Sequence, residues 1–336
     1  MRSQYYVPFA DYRQYSMSTS FSQRVVAAVD IGGTNTVFAL VDRQGVIHRR
    51  GSLPTRSATT AQAYIASVSD AITSNSSEFQ IVAVGVGAPN GNYFNGTIEF
   101  APNLPWQGII RLADEFSARM NVPAFVTNDA NAAALGEMYF GAAKETKDFI
   151  FITLGTGLGS GLVVNGELVY GHDGFAGELG HTIILQHGRP CGCGRRGCLE
   201  QYCSATGLVK TYREILLTSD PDRTTAVTDE PITSKAVFDK AMNGDEAAFY
   251  AFNYTGELLG FALANSVAYT SPSAIFLFGG LANAGELLFT PTMISFEKNL
   301  LSIYRNKVKL LPSGLPENDA PLLGAASLAW NELEKR

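Results

Sequence analysis

The chain has 336 residues, 31 acidic against 25 basic, for a formal net charge of −6, with 46% apolar and 17% charged side chains. This composition excludes a disordered chain and suggests roughly two domains, each able to bury its own core. The acidic balance argues against nucleic acid or an anionic membrane as a partner, since both need a basic surface, and no run approaches the roughly 18 apolar residues of a membrane span.

The N-terminus, MRSQYYVPFADYRQYSMSTS, is polar and aromatic. It has no apolar stretch of the kind a secretory signal needs. Residues 1–24 read as a loosely held tail, Met17 is an alternative start, and the default location is the cytoplasm. Structure begins at Val25. Residues 25–53 read as strand, glycine turn, strand, turn at Gln44-Gly45, strand. A helical spacing over 58–75 and a buried strand in 79–90 follow. Residues 107–121 read as a helix and 122–129 as a strand, leading directly into a helix over 130–141. Residues 148–171 repeat the opening design, with Asn165-Gly166 as the hairpin turn. This is an internal repeat of architecture and implies two units built alike, whose glycine loops face one ligand.

Beyond the cysteines, 218–234 is polar and reads as a loop. Asp245 is the expected cap of a long helix over 246–270, ended by Ser271-Pro272. Residues 274–285 read as strand, glycine turn and helix start, and a closing helix begins near Gly324. Alternating strands and helices place the chain in the α/β class.

The glycine loops can bring backbone N–H groups against phosphate oxygens, with threonine hydroxyls as further donors. Neither is a P-loop, since G-x-x-x-x-G-K-[ST] is missing, and neither is a dinucleotide fingerprint, since each leads into a strand. Either loop alone is equally a tight hairpin. Two of them, with a third turn at Gly279-Gly280, favour nucleotide binding. Asp30 ends the first strand beside Gly32 and Gly33, where it is a turn cap or a carboxylate holding Mg²⁺ through water. Asp129 sits at the mouth of a helix, whose N-terminus favours the anion. Such a carboxylate can take a proton from a hydroxyl, although an aspartate there is commonly only an N-cap. Asn128 beside it carries donors and an acceptor suited to a sugar hydroxyl.

All four cysteines fall between Cys191 and Cys203, unlike a secreted disulfide framework. Cys191, Cys193 and Cys198 with one histidine can make a closed tetrahedral Zn²⁺ site, hence a structural one, the alternatives being reduced free thiols or a redox pair. From spacing alone His181 and His187 both qualify as the fourth ligand, and Cys203 reads as a buried thiol. Glu178 and Glu200 flank this knot; they are ordinary surface carboxylates or, held rigidly, acceptors for sugar hydroxyls, as would be Asn103, which is otherwise a turn residue.

The motifs 30-DIGGTN-35, 128-NDANAAALGE-137, 155-GTGLGSG-161, 177-GELGH-181, 191-CGCGRRGCLE-200 and 278-FGG-280 together resemble the ROK family (repressor, open reading frame, kinase), and within it the bacterial ATP-dependent glucokinases. The match runs from Val25 to the C-terminal helix. The resemblance implies two actin-like (ribonuclease H-like) ATPase domains with a cleft between them: 25–127 plus about 322–336, and 128–321, the second carrying a zinc loop at 181–198. It implies that Asp129 is the base for the 6-hydroxyl of glucose, and that Asn103, Asn128, Asp129, Glu178, His181 and Glu200 hold the sugar. His181 would complete the zinc site with Cys191, Cys193 and Cys198. Gly155, Thr156, Gly157, Gly279 and Gly280 would hold ATP, while Asp30, Gly32, Gly33, Thr34 and Asn35 face its terminal phosphates with Mg²⁺. A homodimer is also implied.

The same family includes repressors and kinases for N-acetylglucosamine, N-acetylmannosamine, fructose or allose, and some relatives use polyphosphate as donor. The 24 residues before Val25 are too few and too poorly patterned for the helix-turn-helix of a repressor.

Overall fold

The computed structural model describes residues 23–219 and 232–335. The expected N-terminal tail, with Met17, and most of the polar 218–234 stretch therefore lie outside the described residues. Two five-stranded mixed sheets organise the chain. The first is built from β1 (Gln23–Ile31), β2 (Asn35–Val41), β3 (Ile47–Pro54), β4 (Phe79–Gly87) and, after the short strands β5 (Gly91–Asn92), β6 (Thr97–Glu99) and β7 (Ile109–Ile110), β8 (Ala124–Thr127). The second is built from β9 (Phe149–Leu154), β10 (Leu158–Val164), β11 (Glu167–Leu168), β12 (Ala274–Phe278) and β13 (Lys309–Pro312).

The strand orders are β3-β2-β1-β4-β8 and β11-β10-β9-β12-β13. In each sheet the first three strands form an antiparallel meander, and two further strands are added parallel to the first. The repeat read from the two glycine hairpins is thus a repeat of whole-sheet topology. Central strands such as β1, where Val25–Val29 are fully buried, are covered on both faces. They therefore read as continuous apolar runs rather than as alternation.

On one face of the first sheet, α1 (Ala61–Ser74) and α2 (Leu112–Met120) bury Tyr64, Ile65, Val68, Ile72 and Phe116 against Val25, Ala27 and Val29. On the other face lies α9 (Ala320–Glu334), which packs Leu322, Ala326, Ala329 and Trp330 on Val26, Ala28 and Ala83. The second sheet is covered by α4 (Glu200–Cys203), α5 (Ala205–Ser219), α6 (Ser234–Met242), α7 (Glu246–Thr270) and α8 (Glu286–Asn299) on one side, and by α3 (Asp129–Phe140) on the other. Every residue of α3 from Ala130 to Glu137 is buried, as expected of a helix enclosed on all sides.

α3 leaves the first sheet and leads into the second, and α9 follows β13 of the second and returns to the first. The two helices pack together. A Cβ on Gly136 would lie 3.0 Å from the Gly324 backbone nitrogen, so glycine sets how closely these connectors approach. The cleft opens where they cross between the sheets.

Local signals account for most element ends. Asp245 accepts the Ala248 N–H at 2.9 Å and caps α7, which ends at a left-handed Ser271. Thr60 caps α1 through the Ala63 N–H. Asn165 and Gly166 both have positive φ, as a two-residue hairpin turn requires. Two ends differ from expectation. Residues 107–121 are not one helix, because Gly108 turns the chain at φ 88° and Ile109–Ile110 pair with β6 before α2 starts at Leu112. The closing helix starts at Ala320 and not near Gly324, with Pro321 tolerated in its first turn. Among the described residues no helix is long and apolar enough to cross a membrane.

Candidate active site

A cavity of about 850 Å³ lies between the sheets. Its walls come from the ends of the strands and the turns that follow them. Asp30, Gly32 and Gly33 follow β1; Gly155, Thr156 and Gly157 join β9 to β10; and Gly279 and Gly280 follow β12. These are equivalent positions in the two sheets, so the topological repeat brings both glycine hairpins to one space. Asn103, Asn128, Asp129, Glu178 and Glu200 complete the set of expected residues lining it.

Thr34, Asn35 and His181 are not in that lining. Thr34 and Asn35 close the first glycine turn through their carbonyls, which accept from Thr55 and Gly32 N–H groups at 2.9 and 3.0 Å. His181 lies behind Glu178, among the cysteines. The Gly155–Gly157 turn is fastened to the start of α5: the Ala205 N–H donates to the Gly155 carbonyl, and the Thr206 hydroxyl to that of Thr156.

Asn128, and not Asp129, caps α3. Its Oδ1 accepts the Asn131 N–H at 2.6 Å, which leaves the amide nitrogen as a donor. Asp129 is the first helical residue and accepts the Ala130 N–H at 2.8 Å. Asp129 is open to solvent through the cleft but walled by protein around it. The protein packed around it still desolvates the carboxyl and raises its pKa above the usual carboxylate range, against the helix-terminal hydrogen bonds, which lower it. Asp30 is also raised, to about 7, by burial and then by the charge of Asp129. Glu178 is raised by burial, with Asp129 and Glu200 adding and His181 opposing. Asp129 is thus close enough to act on both Asp30 and Glu178.

The Glu200 carboxylate accepts the Leu158 N–H at 3.1 Å. A Cβ on Gly157 would collide with the same carboxylate oxygen, so a side chain at 157 would displace the Glu200 carboxylate from the turn. Counting Glu317, five carboxylates line the cleft, and among the described residues no lysine or arginine does.

Behind Glu178 and Glu200, one ligand atom from each of His181, Cys191, Cys193 and Cys198 lies within 4.8 Å of all the others. Cys191 Sγ is 3.6 Å from His181 Nδ1, and Cys193 Sγ is 3.6 Å from Cys198 Sγ. Zn–S bonds of about 2.3 Å in a tetrahedron give ligand separations of this size. The donor set and spacing fit a structural zinc ion. His187 is not in the cluster, which resolves the choice between the two histidines. Cys203 is a fully buried thiol donating to the Thr255 carbonyl.

Sequence reasoning missed Asn90, Thr206 and Glu317, which also line the cleft. None belongs to a local motif. Thr206 could have been suspected from its place at the start of a helix after the cysteine segment.

The sequence model of the ROK family matches residues 26–332. A glucokinase of Streptomyces coelicolor is 36% identical over 310 residues, covering 90% of this chain and 96% of its own length. Among solved structures, a ROK family glucokinase from Streptomyces griseus in complex with glucose and AMPPNP is 34% identical with a TM-score of 0.76, covering 91% of this chain and 99% of that one. The ROK hexokinase from Thermus thermophilus is 28% identical with a TM-score of 0.79, covering 93% and 100%. An N-acetylmannosamine kinase of Shigella boydii (30% identity, 91% of this chain, 98% of its own) and a xylose repressor of Bacillus subtilis (31%, 75% of this chain, 62% of its own) are also similar.

Proposed function

The chain belongs to the ROK family and has its two-sheet, actin-like fold, and from that premise we propose that it is an ATP-dependent kinase acting on the 6-hydroxyl of glucose. The observation that carries this reading is the position of Asp129. Its carboxylate faces the open cleft, where the glycine turns of both sheets converge and the cysteine loop presents Glu178 and Glu200.

In this reading Asp129 takes the proton of the sugar hydroxyl as the hydroxyl oxygen attacks phosphorus. Its raised pKa makes it a stronger base than a fully solvated aspartate, and the Ala130 N–H fixes its orientation. Asn128 donates to a neighbouring sugar oxygen through its amide nitrogen, while Asn103, Glu178 and Glu200 complete the sugar contacts from the cleft lining and His181, set behind them with Nδ1 toward Cys191, would reach the sugar with its other ring nitrogen. A zinc ion held by His181, Cys191, Cys193 and Cys198 would supply rigidity at the back of this surface. Unpaired polar groups then penalise a sugar of the wrong pattern.

ATP would lay its phosphates along Gly155–Gly157, Gly279-Gly280 and the Asp30–Asn35 turn. Backbone and hydroxyl donors can hold phosphate oxygens, but the cleft carries five carboxylates. The donor would therefore enter with Mg²⁺, which supplies charge neutralisation, and transfer would depend on in-line positioning. The lobes of this cleft would be residues 25–127 with about 322–336, and residues 128–321. We further propose that the chain acts as a homodimer in the cytoplasm.

The test is coupled ADP release with Mg-ATP against a panel of sugars. Turnover highest on glucose supports the proposal. Turnover highest on N-acetylmannosamine or another sugar reassigns the substrate, and no turnover on any hexose or acetamido sugar sinks the kinase reading.

A further inference from the structure

The loop from Thr182 to Leu199 is gathered on one side by the four metal ligands and held on the opposite side by a single arginine. All five guanidinium N–H groups of Arg189 have acceptors. Nε donates to Glu214 Oε1 at 2.8 Å; Nη2 donates to Glu214 Oε2 at 2.5 Å and to the Thr211 hydroxyl at 2.9 Å; Nη1 donates to the Gln201 and Gly207 carbonyls at 2.6 and 3.2 Å. The guanidinium carbon sits 4.4 Å from the centre of the Tyr202 ring, and the Tyr202 hydroxyl accepts the Arg189 backbone N–H at 2.7 Å. Only about a tenth of this side chain is exposed. A planar fork with five donors suits this arrangement, and a lysine cannot reproduce it.

We propose that Arg189 is a positioning residue for Glu200, acting as a second fastener of the cysteine loop independent of the metal. The metal ligands tie residues 181 and 191–198 to one another, but they do not tie that knot to α5. Arg189 makes that connection with five hydrogen bonds, beside a lighter one from Lys210 through Gln201. Its bonds to the Gln201 carbonyl and to Glu214 and Thr211 on α5 fix the short helix α4, which begins at Glu200. Its own carbonyl accepts the Gly197 N–H at 2.8 Å, which draws in the far side of the loop. Gln201 links the two fasteners: its side chain accepts from Lys210 at 2.6 Å and reaches Cys191 Sγ at 3.5 Å. Glu200 is thus set from two directions, and the two should be separable.

The inference rests on the kinase reading only in naming Glu200 as a sugar contact. The experiment uses Arg189→Met in the full chain, with bound zinc per chain, amide exchange of the 182–203 segment, and KM and kcat for glucose measured separately. Zinc is expected to stay bound while exchange of the segment speeds up about tenfold and KM rises about tenfold, with kcat within about twofold, the KM change being near 1.4 kcal/mol. Arg189→Lys should fail to restore either signal. Should Arg189→Met not fold, Glu214→Gln, which weakens only the bidentate pair, reads the same signals at smaller amplitude. Loss of zinc together with the exchange change, or unchanged exchange and KM, overturns the proposal. Wild-type protein inactive on every sugar defeats the kinase reading alone, and zinc content and exchange still decide the fastener.

Discussion

Glu137 on α3 accepts the backbone N–H of Gly314, 177 positions later in the chain, at 2.9 Å. The same oxygen accepts the Ala142 N–H at 2.8 Å, and the other oxygen accepts the Ser313 hydroxyl. Glu137 is fully buried, and backbone and hydroxyl donors hold it. It joins the end of the first connector between the sheets to the segment that leads into the second.

Replacing Glu137 with alanine therefore leaves two buried N–H groups unpaired beside a new cavity. The expected loss is about 3–5 kcal/mol of unfolding free energy. Glu137→Gln keeps an acceptor for both N–H groups and should cost roughly 1 kcal/mol. Urea unfolding of the two variants checks the contrast; equal losses would mean that the carboxylate's hydrogen bonds are not what matters there.

Asp129→Asn keeps the shape of the cleft floor but removes the proton acceptor. Turnover on the preferred sugar should fall at least about 10²-fold, the low end of base catalysis, while sugar affinity by calorimetry stays within a few-fold. Near-normal turnover would remove Asp129 from the base role.

The burial of Asp30 beside Asp129 predicts a pH signature. In the folded chain Asp30 is pushed up to about 7, against an ordinary value of 3.8. Between these values the folded state binds more proton than the unfolded one, so stability falls as pH rises. The contribution is fully present below about pH 4 and lost by the time pH has passed through 7. Without nucleotide or magnesium, the wild-type Tm should therefore drop more between pH 5 and 8 than that of Asp30→Asn. Parallel profiles would show that Asp30 is not raised in the folded chain. The same substitution should impair phosphoryl transfer, because the proposed reading places Asp30 at the terminal phosphates.

Much of this was legible in the sequence because its signals are local. Asn165-Gly166, Asp245 and Ser271 act within a few residues of themselves, and the structure uses each as the local chemistry suggests. The repeated strand–glycine–strand pattern survives as repeated sheet order because a one-sided meander needs the same turns each time. What sequence could not reveal depends on distant chain. Glu317 reaches the cleft only because the segment between β13 and α9 passes over Gly280. Ile109–Ile110 pair with β6 where apolar spacing alone suggested helix. The capping roles of Asn128 and Asp129 were exchanged because either residue type suits the position, and only backbone geometry decides between neighbours.

The cysteine loop carries the last prediction. Cys193 is exposed, whereas Cys191 and Cys198 are buried, so Cys193→Ser tests the proposed metal site with little disturbance of packing. A serine hydroxyl is a poor replacement for a thiolate at a structural zinc site. The variant should bind less than one zinc per chain by elemental analysis, and its sugar KM should rise, because Glu178 and Glu200 lean on that loop. Arg189's bonds to Glu214, Thr211 and the Gly207 carbonyl involve no metal ligand, so the variant should stay folded, with the far-ultraviolet circular dichroism of the parent. Prolonged chelation of the wild-type protein should reproduce the KM change, and zinc should reverse it. A Cys193→Ser protein with full zinc content would remove Cys193 from the ligand set, and a zinc-free protein with unchanged KM would separate the metal from the sugar surface.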